Sequence, residues 1–130
     1  MKERLNAITE QIIGAAVDVH RELGPGILES AYEACLMFEL LRRGQSVERQ
    51  VALPLVYQGQ TLEAGFRIDL LVESEVIVEI KAVERLERVH SAQVLSYLRL
   101  SGCKVGLLLN FNIKQLINGG VKRIVNGFPE

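Results

Sequence analysis

Charged residues interrupt two short runs that are otherwise apolar. The runs are FRIDLLV (66–72) and VIVEIKA (76–82), and the charged residues that stand out are Asp69, Glu79 and Lys81. Burying an unpaired charge costs on the order of several kcal/mol. Such residues therefore need a charged partner, a solvated face or a bound ion.

The two runs predict the strands of a β-hairpin, because they are rich in strand-forming residues and the polar ESE at 73–75 separates them. Side chains alternate along a strand, so Asp69 is expected on one face and Ile68 and Leu70 on the other. The glutamate and the lysine of the second strand are likewise expected to share a face.

The expected register brings two acids together. If residues 73–75 form the loop, Asp69 lies opposite Glu79, which costs stability unless one carboxyl is protonated or a cation lies between them. A register shifted by two residues would set Asp69 against Lys81 and give an ordinary salt-bridge ladder on a solvated face. That shift draws Val76 into the loop, so the unshifted register and a bound cation are favoured.

This arrangement predicts a nuclease-like site. Carboxylates on neighbouring strands suit Mg²⁺ or Mn²⁺, which prefer oxygen ligands and complete their coordination with water or substrate phosphates. Lys81 lies two residues beyond Glu79 and would point into the same pocket. The lysine could orient or deprotonate a metal-bound water, or offset charge that develops on a phosphate.

The N-terminal third of the chain predicts two helices and a strand. Apolar residues at helical spacing predict a helix that ends near Leu23 and a second helix over about 27–43. Residues 47–57 predict a strand, in which Pro54 favours an edge position or a bulge.

The C-terminal part predicts a crossover between parallel strands. Residues 88–102 have helical periodicity and precede the apolar strand KVGLLLNF at 104–111. Residues 119–125 could add a short strand. The fold class is therefore α/β, with the order helix, helix, three strands, helix, strand.

Composition sets the remaining expectations. At 130 residues the chain fits a single domain over residues 1–130, and its net charge of −1 restricts any polyanion-binding surface to a local patch. The two cysteines, Cys35 and Cys103, lie apart in apolar segments and predict buried free thiols rather than a zinc site. With neither a signal peptide nor a membrane span predicted, the expected location is the cytoplasm.

Asp69, nine intervening residues and then Glu79-Ile80-Lys81 resemble the PD-(D/E)XK motif of the restriction-endonuclease-like nuclease superfamily. The predicted order after the first helix resembles the αβββαβ core of that superfamily, with an extra N-terminal helix. GILESAY at 26–32 resembles the signature of the GxxExxY protein family within it. One departure is Ile68, which stands where the motif has proline.

The resemblance implies a metal site. Asp69 and Glu79 would be ligands of Mg²⁺ or Mn²⁺, with the backbone carbonyl of Ile80 as a third ligand. Glu29 would reach the ion directly or through water. A simpler interpretation of Glu29 is that it favours the positive end of its helix.

The resemblance also implies catalytic and supporting residues. Lys81 would be the catalytic lysine, and Gln93 and Tyr97 resemble the QxxxY element that supports the site in some of these nucleases. The alternative for Gln93 and Tyr97 is a packing pair one helical turn apart.

The function implied is Mg²⁺-dependent phosphodiester hydrolysis of nucleic acid, with DNA expected before RNA. A homodimer or a protein partner would supply specificity, because little of the chain lies outside the core. The alternative is a catalytically inactive nuclease-like module that binds nucleic acid or a protein.

Overall fold

The computed structural model describes residues 1–127, so the last three residues of the predicted domain lie outside the described part. Three helices and five strands follow one another in the chain. They are α1 (Lys2–Leu23), α2 (Glu29–Arg42), β1 (Val47–Tyr57), β2 (Gln60–Val72), β3 (Val76–Lys81), α3 (Arg88–Ser101), β4 (Val105–Asn110) and β5 (Val121–Val125). The predicted α/β class and αβββαβ order with an additional N-terminal helix are confirmed, and β5 is the short strand expected near the C-terminus.

The five strands form one mixed sheet in the order β1-β2-β3-β4-β5. Strands β3 and β4 are parallel and are joined through α3, as the sequence predicts, whereas the other neighbouring strands are antiparallel. Pro54 lies in the edge strand β1, where the register shifts between Leu53 and Leu55. Both positions expected for this proline are therefore found together.

Helices cover both faces of the sheet. Apolar residues of α1 and α2 pack on one face in a large cluster, and α3 packs on the other face in a smaller cluster with Ile68, Ile77 and Leu108. Strands β3 and β4 are consequently buried along nearly their whole length, as is usual for parallel strands between helices. Across residues 1–127, none of the helices combines the length and hydropathy that a bilayer crossing needs.

The helix α3 lies directly against β4. A Cβ atom at Gly106 would lie 2.7 Å from the Val94 Cγ1 atom, so glycine is needed for this close approach. The helix ends at Gly102, whose φ of 80° is the left-handed conformation that glycine adopts at helix C-termini. This packing fixes the height of α3 above the sheet.

Both cysteines are free thiols, but they are half-buried rather than fully buried as predicted. Cys35 and Cys103 each pack at the margin of a core cluster, where neighbouring residues leave part of the side chain accessible.

Candidate active site at the open end of the β2–β3 hairpin

The ladder between β2 and β3 ends where the acids begin. The predicted register is confirmed by Val72 opposite Val76, and the last regular pair is Leu70 opposite Val78. Beyond it, the Asp69 N–H donates to Glu79 Oε2 at 2.7 Å, and the Ile80 N–H donates to Asp69 Oδ2 at 2.8 Å. Each carboxylate thus accepts a hydrogen bond that a backbone carbonyl would accept in a regular ladder.

The expected alternation of side chains along β2 is wrong at Asp69. Ile68 packs in the cluster on the α3 face, whereas Leu70 packs in the cluster with α1 and α2, although residues two apart should share a face. The opposite residue on β1, Gln50, has a φ of 54°, and the Gln50–Asp69 pair is missing from a ladder that is regular on both sides of it. At this local irregularity, which the sequence pattern does not reveal, the side chains of β2 change faces.

The two carboxyl groups lie in surroundings that disfavour their charged forms. Glu79 is only 3% exposed, and burial together with the neighbouring Asp69 carboxylate raises its pKa to about 8. Burial also raises the pKa of Asp69, although the hydrogen bond from the Ile80 N–H opposes this shift. Near neutral pH the pair therefore holds a proton, as expected for two close carboxylates without a cation between them.

Lys81 ends β3 beside this pair. Its charge acts on both carboxylates and lowers the pKa of each, so the ammonium group lies within electrostatic reach of Asp69 and Glu79. The Lys81 backbone is held by β4, because its carbonyl accepts a hydrogen bond from the Phe111 N–H at 2.9 Å. The half-buried side chain is thus attached to a fixed strand end.

Glu29 reaches the site through its side chain and Ile80 through its backbone. The Glu29 side chain is near the N-terminus of α2, and its Oε2 accepts a hydrogen bond from the Ala82 N–H at 3.0 Å, one residue beyond β3. The Ile80 side chain is in the core, while its N–H binds Asp69. The structure thus brings both residues to the end of β3 that carries Lys81.

The α3 residues Gln93 and Tyr97 complete the set predicted from the sequence. Gln93 Nε2 donates to the Tyr97 hydroxyl at 3.3 Å, and Tyr97 is 6% exposed. Burial raises the pKa of Tyr97, and the negative charges of Glu79 and Asp69 raise it further. Tyr97 is therefore electrostatically coupled to the carboxylate pair, which a packing pair remote from the site would not be.

The predicted set omits three further residues that lie here. Glu33 is 5% exposed, forms an ion pair with Arg49 and accepts a hydrogen bond from Gln50 Nε2 at 2.9 Å. The same Gln50 nitrogen lies 3.3 Å from Asp69 Oδ1. The sequence gives only a weak signal for Glu33. It lies one helical turn after Glu29, but a glutamate in a helix is ordinarily exposed.

An open cleft of about 410 Å³ lies between α2 and the strands β1 and β2. Its lining residues are Glu29, Ser30, Glu33, Arg49, Gln50 and Asp69. Larger cavities exist elsewhere, such as one of about 690 Å³ beside α1 and α2, but its lining contains none of the predicted site residues. The cleft beside Asp69 is therefore the relevant one for this site.

The donor set is suited to a hard divalent cation. Asp69 and Glu79 offer carboxylate oxygens, and within residues 1–127 no group of three acidic, histidine or cysteine side chains is arranged to enclose an ion. An ion that retains several waters, as Mg²⁺ does, needs only one or two protein carboxylates. The residues present thus fit such an ion better than they fit zinc, which prefers nitrogen and sulfur ligands.

The mixed five-stranded sheet with helices on both faces, together with the acids and the lysine at the end of its central hairpin, defines a restriction-endonuclease-like domain. The family model of the PD-(D/E)XK nuclease superfamily matches residues 6–124, and the chain belongs to this superfamily. Searches of curated proteins and of solved structures gave no significant match.

Proposed function

We propose that the protein is a Mg²⁺- or Mn²⁺-dependent nuclease that hydrolyses phosphodiester bonds. The observation that carries this proposal is the pairing of buried Glu79 with half-buried Asp69, whose carboxylates accept hydrogen bonds from backbone N–H groups and lie within electrostatic reach of Lys81. Two acids kept together at a cost in stability need a compensating role, and cation binding supplies one. Membership of a nuclease superfamily supports the same conclusion.

Asp69 and Glu79 would hold the ion, with the Ile80 carbonyl as a further ligand. Glu29 would act through water, because its carboxylate contacts the Ala82 N–H at the rim of the site. When bound, the ion supplies positive charge that polarises the scissile phosphate and favours ionisation of both carboxyls.

The remaining chemistry belongs to side chains of this chain. Lys81 would orient the attacking water and stabilise negative charge that develops on the phosphate. Gln93 and Tyr97 would support the carboxylates from the α3 side. The electrostatic coupling of Lys81 and Tyr97 to the acids, and the hydrogen bond from Gln93 to Tyr97, support these assignments.

Nucleic acid is the proposed substrate, with DNA to be tested before RNA. Exposed arginines in or next to the strands and the connection around the site could contact phosphates without contacting bases; these are Arg67, Arg85 and Arg88. We further propose a cytoplasmic location and a single nuclease-like domain over residues 1–130, with a second copy or a protein partner supplying specificity.

We also propose membership of the GxxExxY family, because the three motif residues have connected roles. Gly26 adopts a φ of 90°, and Glu29 contacts the end of β3. The buried Tyr32 hydroxyl donates to the Gly24 carbonyl at 2.5 Å and accepts from the Ile27 N–H at 3.2 Å. The motif thus fixes the turn that delivers the glutamate to the site.

A non-catalytic nuclease-like module that binds nucleic acid or a protein is the second candidate. The net charge of −1 favours it, because the chain as a whole has no strong attraction for a polyanionic substrate. Thermal melting with and without Mn²⁺ tests the metal binding that the nuclease requires, because a ligand that binds the folded state raises its stability.

The deciding experiment compares wild type with Asp69→Asn, which keeps the side-chain size. We expect wild type to gain thermal stability in millimolar Mn²⁺ and to cleave plasmid DNA or single-stranded RNA, and the variant to lose both effects. Cleavage that persists in Asp69→Asn would refute the assigned site. Metal stabilisation without cleavage of any nucleic acid would favour the binding module.

A further inference from the structure

Two consecutive residues of β1 contact the same buried carboxylate. The Arg49 side chain forms an ion pair with Glu33 Oε2, and the Gln50 amide donates to Glu33 Oε1 at 2.9 Å. Neighbouring side chains of a regular strand point to opposite faces, so both could not reach one carboxylate. The positive φ of Gln50, 54°, places them on the same side.

Gln50 also contacts the proposed metal site. Gln50 Nε2 lies 3.3 Å from Asp69 Oδ1, while the Ile80 N–H holds Asp69 Oδ2. Both oxygens of Asp69 therefore accept a hydrogen bond. A carboxylate oxygen has two lone pairs, so each oxygen retains one with which to bind a cation.

The backbone conformation of Gln50 is costly for a residue with a Cβ atom. Unfavourable backbone conformations persist where the surrounding structure requires them, often at functional sites. Here the conformation interrupts the β1–β2 ladder only at Gln50 and Asp69, because the Arg49–Leu70 and Val51–Ile68 pairs are intact. The interrupted pair thus consists of the residue proposed to bind metal and the residue that contacts it.

From these observations we propose that Gln50 is a positioning residue for the metal site. Its amide connects Asp69 to Glu33, which is anchored by Arg49, and so holds the Asp69 carboxylate in the orientation that binds the cation. The inference rests on the proposed function, because it requires that Asp69 binds a divalent metal. Partners that orient metal ligands typically change metal affinity by about 10- to 100-fold when they are removed.

The test measures Mn²⁺ affinity directly, from the electron paramagnetic resonance signal of the free ion, and does not depend on activity. Gln50→Gly removes the amide but suits the positive φ, so we expect unchanged or higher thermal stability together with about 10-fold weaker Mn²⁺ binding. Gln50→Asn tolerates the same φ and keeps an amide that is one methylene too short. It should weaken Mn²⁺ binding similarly, even if the glycine variant folds poorly.

Gln58 provides the matched control. It is an exposed glutamine of the β1–β2 turn with a φ of 48°, and its amide donates to the Tyr57 hydroxyl at 3.4 Å. Gln58→Gly should relieve a similar backbone cost and leave Mn²⁺ affinity unchanged.

The outcomes distinguish this inference from the proposed function. If wild type does not bind Mn²⁺, the metal-dependent function and the inference both fail. If wild type binds Mn²⁺ and both Gln50 variants bind within twofold of it, the inference alone is overturned. Weaker binding by both Gln50 variants with an unchanged Gln58→Gly control supports the positioning role.

Discussion

The two halves of the β2–β3 hairpin follow the same strands but are held together differently. Near the loop, residues 70–72 pair with residues 76–78 in a regular ladder of fully or largely buried apolar residues. At the open end, Asp69 and Glu79 accept backbone hydrogen bonds through their side chains instead. One half is built for packing, whereas the other keeps two carboxyl groups in an environment that disfavours their charge.

This difference shows how a small fold combines stability with a charged site. The apolar half gains free energy from burial, which offsets the cost of desolvating the acids one residue further along each strand. A substitution in the polar half should therefore impair function more than stability. A substitution in the apolar half should impair stability more than function.

The largest effect is expected on catalysis at the polar half. If the protein is a nuclease, Lys81→Ala should reduce the cleavage rate by about 100- to 10,000-fold, because charge stabilisation and proton transfer in active sites contribute that much. The free energy of unfolding should change by less than about 0.5 kcal/mol, as for other half-exposed positions. Single-turnover cleavage and urea unfolding would measure the two quantities, and an unchanged rate would exclude Lys81 from catalysis.

Next in size is a stability change in the apolar half. Ile77 is fully buried against α3, so Ile77→Ala should lower the free energy of unfolding by about 2–5 kcal/mol through lost burial and a cavity. Mn²⁺ binding at temperatures where the variant remains folded should be retained. If Ile77→Ala lost metal binding while folded, the two halves would not be separable.

The third prediction concerns pH. The pKa of Glu79 is about 8 in the folded protein against an ordinary 4.5, so between these values the folded state holds a proton that the unfolded chain has released. The stability of the metal-free protein should therefore fall as the pH rises from about 4.5 to 8, by up to a few kcal/mol.

Melting temperatures measured across this pH range test the third prediction. The variant Glu79→Gln should flatten the profile, because it removes the titrating group while keeping the size of the side chain. Mn²⁺ affinity should increase with pH over the same range, since the ion displaces the proton. A wild-type profile as flat as that of Glu79→Gln would show that Glu79 is ionised in both states.

The smallest effect is expected at Tyr32. Its hydroxyl holds the turn before α2, the helix that carries Glu29 to the polar half. Tyr32→Phe keeps the stacking on Phe111, where the ring centroids are 4.5 Å apart, but leaves the Gly24 carbonyl and the Ile27 N–H without their partner. We expect a loss of about 1–2 kcal/mol in urea unfolding. Loss of Mn²⁺ binding in this variant would show that the turn directly controls the metal site.

Much of the architecture could be predicted because its signals are local. Helical spacing predicted α1 and α2, and the polar loop at 73–75 fixed the hairpin register through Val72 and Val76. The elements and their order were therefore confirmed. The alternation along β2 was predicted wrongly, because the positive φ of Gln50 on the neighbouring strand leaves no residue-type signal on β2.

The sequence alone determined which residues are available for chemistry: the spacing of Asp69, Glu79 and Lys81, and the apolar runs that carry them. These follow from periodicity and from the cost of burying charge, which are properties of short segments. The tertiary structure decided that Glu33 and Gln50 join them, because hydrogen bonds between distant segments depend on how α2 and β1 pack beside the hairpin. Such contacts arise only when the sheet and the helices are assembled.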